Sequence, residues 1–378
     1  MSETPTSAPV VRLGEIARIV SGGTPSRANP AYWGGIIPWV KTGNVRNDRI
    51  GVADIDERIT ETGLTASSAR VVPAGTILMA MYGQGGTRGR VSVLELDAAI
   101  NQACAAILVR DGIDRDYVFQ VLRHKYAAIR RLSNSGGQEN LSVELLRSIA
   151  LPLPAIADQQ RIAATLGTWD SAIDTTERLI AAQARRMDGL QRHLLHSARA
   201  ASLPRERLKS LARVKKGQQL NGTDMISNGQ FYVLNGGIGP SGRTSESNTP
   251  ADTITISEGG NSCGFVSYNR GSFWCGGHCY ALLNLAGHAD VRYVYHFLKS
   301  QQHRIMSLRT GSGLPNIAKS EVEDIVIVVP PLAEQRRVVT ILHAAEHEIA
   351  ILRSLRAAYK NQKRALMSVL FSSEGVDL

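Results

Sequence analysis

Residues 149–173 read IALPLPAIADQQRIAATLGTWDSAI, and residues 325–349 read IVIVVPPLAEQRRVVTILHAAEHEI. The second stretch is the first written again 176 positions later. At that single offset Ile149 meets Ile325, Pro154 meets Pro330, Gln159 meets Gln335, Arg161 meets Arg337, Leu166 meets Leu342 and Ile173 meets Ile349. The register continues upstream without a gap, through Asn140 and Asn316, Gly137 and Gly313, and Leu132 and Leu308, to Tyr117 and Tyr293. One offset held over so long a stretch marks an internal duplication, and the duplication sets the architecture.

The repeated frame is helical. From Asp158 the apolar positions run Ile162, Leu166, Trp169, Ile173, Ile180, Met187, Leu190, Leu194, which follow a heptad. The second copy gives Val338, Leu342, Ala345, Ile349, Leu352, Tyr359, Leu366 and Leu370. Prolines stand just upstream (Pro152 and Pro154; Pro330 and Pro331), and Asp158 and Glu334 place a carboxylate near each positive helix end. A helix of about 37 residues is roughly 55 Å long at 1.5 Å per residue. Its apolar stripe needs a partner, and the other copy is the obvious one. We expect Ile162, Leu166, Trp169, Ile173, Leu190 and Leu194 to pair with Val338, Leu342, Ile349, Leu366 and Leu370 in an antiparallel coiled coil. The competing arrangement packs each helix on its own domain.

The flanking regions read as mixed α/β. Strand-like runs (VVPAGTILMAMYG and CAAILV; ADTITISEGG and YALLNL) precede amphipathic helices (DYVFQVLRHKYAAIRRL and VRYVYHFLKSQQHRIMSL). The openings of the two halves, VRLGEIARIVSGGTPSR and ERLKSLARVKKGQQLNG, diverge. A repeated scaffold with differing variable parts suggests two readers of different things on one frame. The expected division is 1–155, a first α/β domain; 156–198, its long helix and linker; 199–331, a second α/β domain; and 332–373, the second long helix. The fold class is α+β with pseudo-two-fold symmetry.

With 378 residues, the chain should hold at least two cores. Lysine plus arginine number 43 against 33 acidic residues, a net charge of +10 that suits a polyanion partner. MSETPTSAPV has no basic-then-apolar leader, no uncharged apolar run has the length of a membrane span, and four cysteines do not make a disulfide framework. We therefore expect a cytoplasmic protein with reduced thiols and no membrane contact.

Four motifs invite chemistry. Asn29-Pro30-Ala31-Tyr32 resembles an adenine methyltransferase tetrapeptide, but no glycine-rich cofactor motif precedes it, and a turn is the better reading. Gly83–Arg90 lacks the ending of a phosphate-binding loop and reads equally as a plain hairpin turn or as a DNA-facing loop. Cys263, Cys275, His278 and Cys279 are the right ligand types for zinc at an unusual spacing, and small buried thiols are the better reading, so no metal site is expected. Ser135–Asn140 and Thr310–Asn316 occupy equivalent places, either as turns or as segments lying along a phosphate backbone. Neither an Asp…Glu-x-Lys nuclease pattern nor a G-x-S-x-G elbow is evident, so the chain is expected to have no catalytic residues of its own.

SGGTPSRANPAYWGGIIPWVKTGNV (21–45) resembles the opening of a type I restriction–modification specificity-subunit recognition domain. NGGIGPSGRTSE (235–246) with SEGGNSCGFVSYNRGSFWCGGHCYALL (257–283) resembles a second subtype, and LPLPAIADQQRI and VVPPLAEQRRV resemble the start of that family's long helix. The resemblance implies a non-catalytic specificity subunit that reads an asymmetric bipartite target in double-stranded DNA. It implies two methyltransferase subunits and added restriction subunits as partners. S-adenosylmethionine, ATP and magnesium would sit on those partners, with no cofactor in this chain. The rival is a stand-alone methyltransferase or nuclease; a third reading is a scaffold that binds proteins only. The loops supply the candidate DNA contacts: Lys41, Thr42, Asn44, Tyr82, Gln84, Arg88 and Arg90 in the first domain, and Lys215, Lys216, Gln218, Asn221, Asn235, Arg243 and Asn261 in the second.

Overall fold

The computed structural model describes residues 8–46, 48–83, 86–132, 140–196, 202–311, 313 and 315–371. The chain divides into two compact units, one of residues 1–175 with 356–378 and the other of 176–355. Each long helix crosses from one unit to the other. Ile156–His196 has 41 residues and Leu332–Phe371 has 40.

Among the described residues the first unit carries two larger sheets and a two-stranded one, Val10–Arg12 paired with Ala150–Pro152. One runs in the order Ala17–Ser21, Cys104–Val109, Ile77–Ala80, Val91–Leu94, Arg49–Ile50; it is antiparallel except for its last pair. The other runs Arg58–Ile59, Trp33–Val40, Ala98–Ile100, Arg70–Val72. Strands Ile77–Ala80 and Val91–Leu94 are buried along their whole length, which explains near-continuous apolar runs in place of alternation. Helix Arg115–His124 covers one face, capped by Asp114, whose side chain accepts from Tyr117 N at 2.7 Å.

The second unit repeats this plan with different detail. Its main sheet is the antiparallel set Arg213–Lys216, Cys279–Leu283, Thr253–Ser257, Val266–Asn269. A smaller sheet runs Gly242–Thr244, Phe231–Leu234, Trp274–Cys275. Asp290 caps helix Val291–Ser300 as Asp114 caps its counterpart.

The long helices are buried from two sides. In the first unit Leu166 and Ala163 join a core made with Tyr117, Val121 and Leu122 of the domain and Met367 and Phe371 of the second helix; Ile162, Leu366 and Leu370 pack against it. Phe371 meets Tyr117 edge-on, and the Tyr117 hydroxyl donates to Pro152 O at 2.8 Å; farther along, Lys363 meets Asp170. The partner index falls as the first helix advances, so the helices run antiparallel within this unit. In the second unit Val338, Leu342, Ala345 and Ile349 join Met187 and Leu195 with the domain core, and Leu190 and Leu194 pack on it. Pairing with the other helix and packing on the domain, expected as alternatives, therefore occur together. Trp169 and Ile173 remain half-buried, Trp169 edge-on to Tyr359 at 5.8 Å.

The repeated glutamines are the fasteners. Gln159 Oε1 accepts from Asp114 N at 2.9 Å, and its Nε2 donates to Pro154 O at 2.7 Å. Gln335 Oε1 accepts from Asp290 N at 2.7 Å, and its Nε2 donates to Pro330 O and His288 O, each at 2.8 Å. Each joins the start of a long helix to the cap of its domain helix.

Candidate nucleic-acid interface

Some of the candidate residues stand on comparable hairpins of the two units. In the first unit the hairpin between Ile77–Ala80 and Val91–Leu94 carries Tyr82, Arg88 and Arg90. Gln84 lies outside the described residues. Tyr82 and Arg90 are exposed and Arg88 is half-buried. The turn is held from outside: Tyr126 Oη donates to Gly86 O at 2.8 Å, and Gly89, with φ +82°, donates to Ala80 O at 2.8 Å. In the second unit the matching hairpin, between Thr253–Ser257 and Val266–Asn269, presents Asn261, which is exposed. The two hairpins fall at the 176 offset, since 77 + 176 = 253. Each backs onto the segment leading to a long helix, through Leu141 N to Met81 O at 3.0 Å and Ile317 N to Glu258 O at 2.9 Å.

The 41–44 turn does something other than expected. Asn44 is buried, and its carboxamide is spent inside the protein, accepting from Lys41 N and donating to Asp54 O and Asp56. It cannot offer the same atoms to a base. Lys41 Nζ lies 3.0 Å from Asp56 Oδ2 and 2.5 Å from Glu57 Oε1; these bonds hold its ammonium above its ordinary pKa and leave little net positive charge. Thr42 begins the 3-10 turn and stays half-buried. Arg27, not anticipated, stacks over Trp33 at 3.7 Å and pairs with Glu57, pinning the 22–32 loop. Asn29 Oδ1 accepts from Ala31 N at 3.1 Å, which makes the tetrapeptide a capped turn.

In the second unit Lys215 and Lys216 end strand Arg213–Lys216, both exposed; Lys216 Nζ lies 2.6 Å from Glu258 Oε1. Gln218 and Asn221 are exposed on the following loop, Gln218 O accepting from Trp274 Nε1 at 2.8 Å. Arg243 is exposed but directs Nε to Gly229 O and an Nη to Gln230 O, so part of its donor fork closes a loop. Asn235 and Asn261, 26 residues apart, line one cleft together with His278. Cys275 and Cys279 are buried in a small apolar cluster, and Cys263 Sγ donates to Glu258 O, whereas His278 is exposed. Among the described residues no group of three or more His, Cys, Asp or Glu side chains is placed to hold a metal ion, and no helix is long and apolar enough to cross a membrane.

Comparison with known proteins adds a family. The type I restriction modification DNA specificity domain matches residues 6–182 and again 206–358, once per half. A Mycoplasma pneumoniae protein described as a type I specificity subunit is 39% identical over 139 residues, 36% of this chain and 36% of that one. The specificity subunit of a Methanocaldococcus jannaschii type I restriction enzyme is 28% identical over 172 residues, 45% of this chain and 39% of that one. The aligned stretches thus span well under half the length of these relatives. The crystal structure of a type I restriction–modification S subunit from M. genitalium shares the fold with TM-score 0.68 at 18% identity, covering 99% of this chain and 98% of that one.

Proposed function

The chain belongs to the type I restriction modification DNA specificity domain family, and we propose that it is the DNA-reading specificity subunit of a type I system. In this reading each unit reads one half of a bipartite, asymmetric target, and the long helices set the gap between the halves. The chain performs no chemistry itself. It directs two methyltransferase subunits, which carry S-adenosylmethionine, and restriction subunits, which carry ATP and magnesium, to the site.

One observation carries this reading above the others: two hairpin turns of different sequence, at one offset, on a scaffold that is otherwise duplicated. A common scaffold with unlike turns is what two different half-sites require. The surplus of 10 positive charges supports a polyanion partner. The test is to purify the full chain with its methyltransferase partners and map methylated sites on genomic DNA. The expected result is one bipartite motif that disappears when this chain is omitted. Methyl transfer by this chain alone would contradict the assignment.

A further inference from the structure

The two joints between the long helices occupy matching places but are built of different chemistry. In the first unit three partners close in on Asp170 of the first helix. Lys363 of the second helix bonds it, Gln120 Nε2 donates to it at 2.7 Å, and Arg123 lies 3.0 Å away. Arg123 also reaches Asp48 at 3.1 Å. Two carboxylates thus face two cations, and Lys363 is buried among them. A ring pair stands on the same two helices, Trp169 edge-on to Tyr359 at 5.8 Å.

The offset of 176 carries each of these residues to a counterpart in the second unit. Asp170 becomes Glu346, Gln120 becomes His296, Arg123 becomes Lys299, and Lys363, taken back by 176, becomes Met187. Met187 is buried there in an apolar core with Ala345 and Ile349. Glu346 already lies in the field of three cations, Arg292, Arg270 and Lys299. The second joint therefore has cations to spare and takes a thioether, whereas the first balances its carboxylates only with an added ammonium. Trp169 and Tyr359 become Ala345 and Gln183, so the ring pair has no counterpart either.

These differences decide which helices can pair. An antiparallel pair of two first helices would set Asp170 of each against Met187 of the other and leave the carboxylate without its lysine. A pair of two second helices would set Lys363 of each against Glu346 of the other and add a buried ammonium to a site with three cations. Only unlike helices satisfy both joints, and a buried charge without its counter-charge is strongly destabilising. The apolar stripe does not make this choice, because Leu166, Leu190 and Leu194 return as Leu342, Leu366 and Leu370. We propose that the seam is coded for unlike helices: each joint accepts the helix of the other half and rejects a second copy of its own. An assembled protein then always carries one first unit and one second unit.

The test uses the full chain with a protease site within 197–201, between the first long helix and the second domain, and a distinct tag at each end. The protein is cut and taken through urea so that pairs form anew, and native mass spectrometry counts like and unlike pairs of halves. The wild type returns mostly unlike pairs. Lys363→Met with Met187→Lys moves the ammonium from one helix to the other, so that like pairs now satisfy the joints; the ratio of like to unlike pairs rises by roughly tenfold or more. Lys363→Met with Asp170→Leu removes both charges from the first joint and gives a ratio between these two. A wild type in which like pairs are as abundant as unlike ones overturns the proposal. So does an unchanged ratio after the lysine is moved, even if pairing as a whole weakens, because a lysine that served stability alone would not choose between partners.

Discussion

Gln159 and Gln335 illustrate how one side chain can hold a joint. Each carboxamide uses its oxygen on the cap of a domain helix and its nitrogen on the carbonyl of the proline before the long helix. Replacing Gln335 by Leu strands a buried N–H and buried carbonyls, so a loss of about 1–3 kcal/mol is expected, read as a shift of the urea midpoint without a change of slope. His296 makes a prediction about pH. It is buried at the position matching Gln120, since 120 + 176 = 296. Burial is the largest cause of a pKa pushed down from 6.5 to about 4, with Arg292 and His343 adding repulsion. A group depressed in the folded state is protonated first in the unfolded chain. Its contribution is fully present above pH 6.5 and is lost as pH falls toward 4. The slope reaches up to about 1.4 kcal/mol per pH unit. Glu346, 3.7 Å from His296 Nδ1, has a pKa raised by burial and works in the opposite sense. His296→Gln should flatten the acid side of the stability profile, measured by urea unfolding from pH 4 to 7; an unaltered profile would assign the acid sensitivity to other groups.

The long helices show a polar group inside an apolar seam. Lys363 is 4% exposed, and its ammonium bonds Asp170 and, at 3.1 Å, Gln120 Oε1. Arg123 joins at 3.0 Å from the domain side. Burial raises the pKa of Asp170, but the charges of Arg123 and Lys363 outweigh it, and the carboxyl is held below its ordinary value. Lys363→Met leaves Asp170 with only Arg123 and Gln120 as partners and should cost about 1–3 kcal/mol. Adding Asp170→Leu should recover most of that loss, because an apolar pair needs no solvation. Failure of the double variant to recover would show that Arg123 and Gln120, and not Lys363 alone, depend on the carboxylate. The apolar period made the helices and their buried stripe legible, because a heptad records which residues face inward. It could not show Lys363, which stands among solvated residues of the same type in the sequence and is buried only by its neighbours. For the same reason the internal bonds of Asn44 and Lys41 were not legible. Residue type shows what a side chain can bond, and only the fold shows what it has already bonded. Asn235 and Asn261 line one cleft although two strands separate them along the chain, a proximity that the spacing alone does not disclose.

At the scale of the whole molecule, duplication separates scaffold from reader. The joints, caps and helix cores recur at one offset, whereas the outward hairpin turns keep the place but not the sequence. If the helices act as a ruler, four residues inserted at matched positions in both lengthen each by about 6 Å, close to two base-pair steps. The gap in the methylated motif should then grow with both half-sites intact; an unchanged gap would end the ruler idea. The central claim, that each unit reads its own half of the target, is tested most directly by exchanging residues 199–331 for the matching domain of a relative and sequencing the methylated sites produced with the methyltransferase partners. The account predicts that one half-site changes to that of the relative while the other half-site and the gap stay as they were. A motif altered in both halves, or in neither, would contradict it.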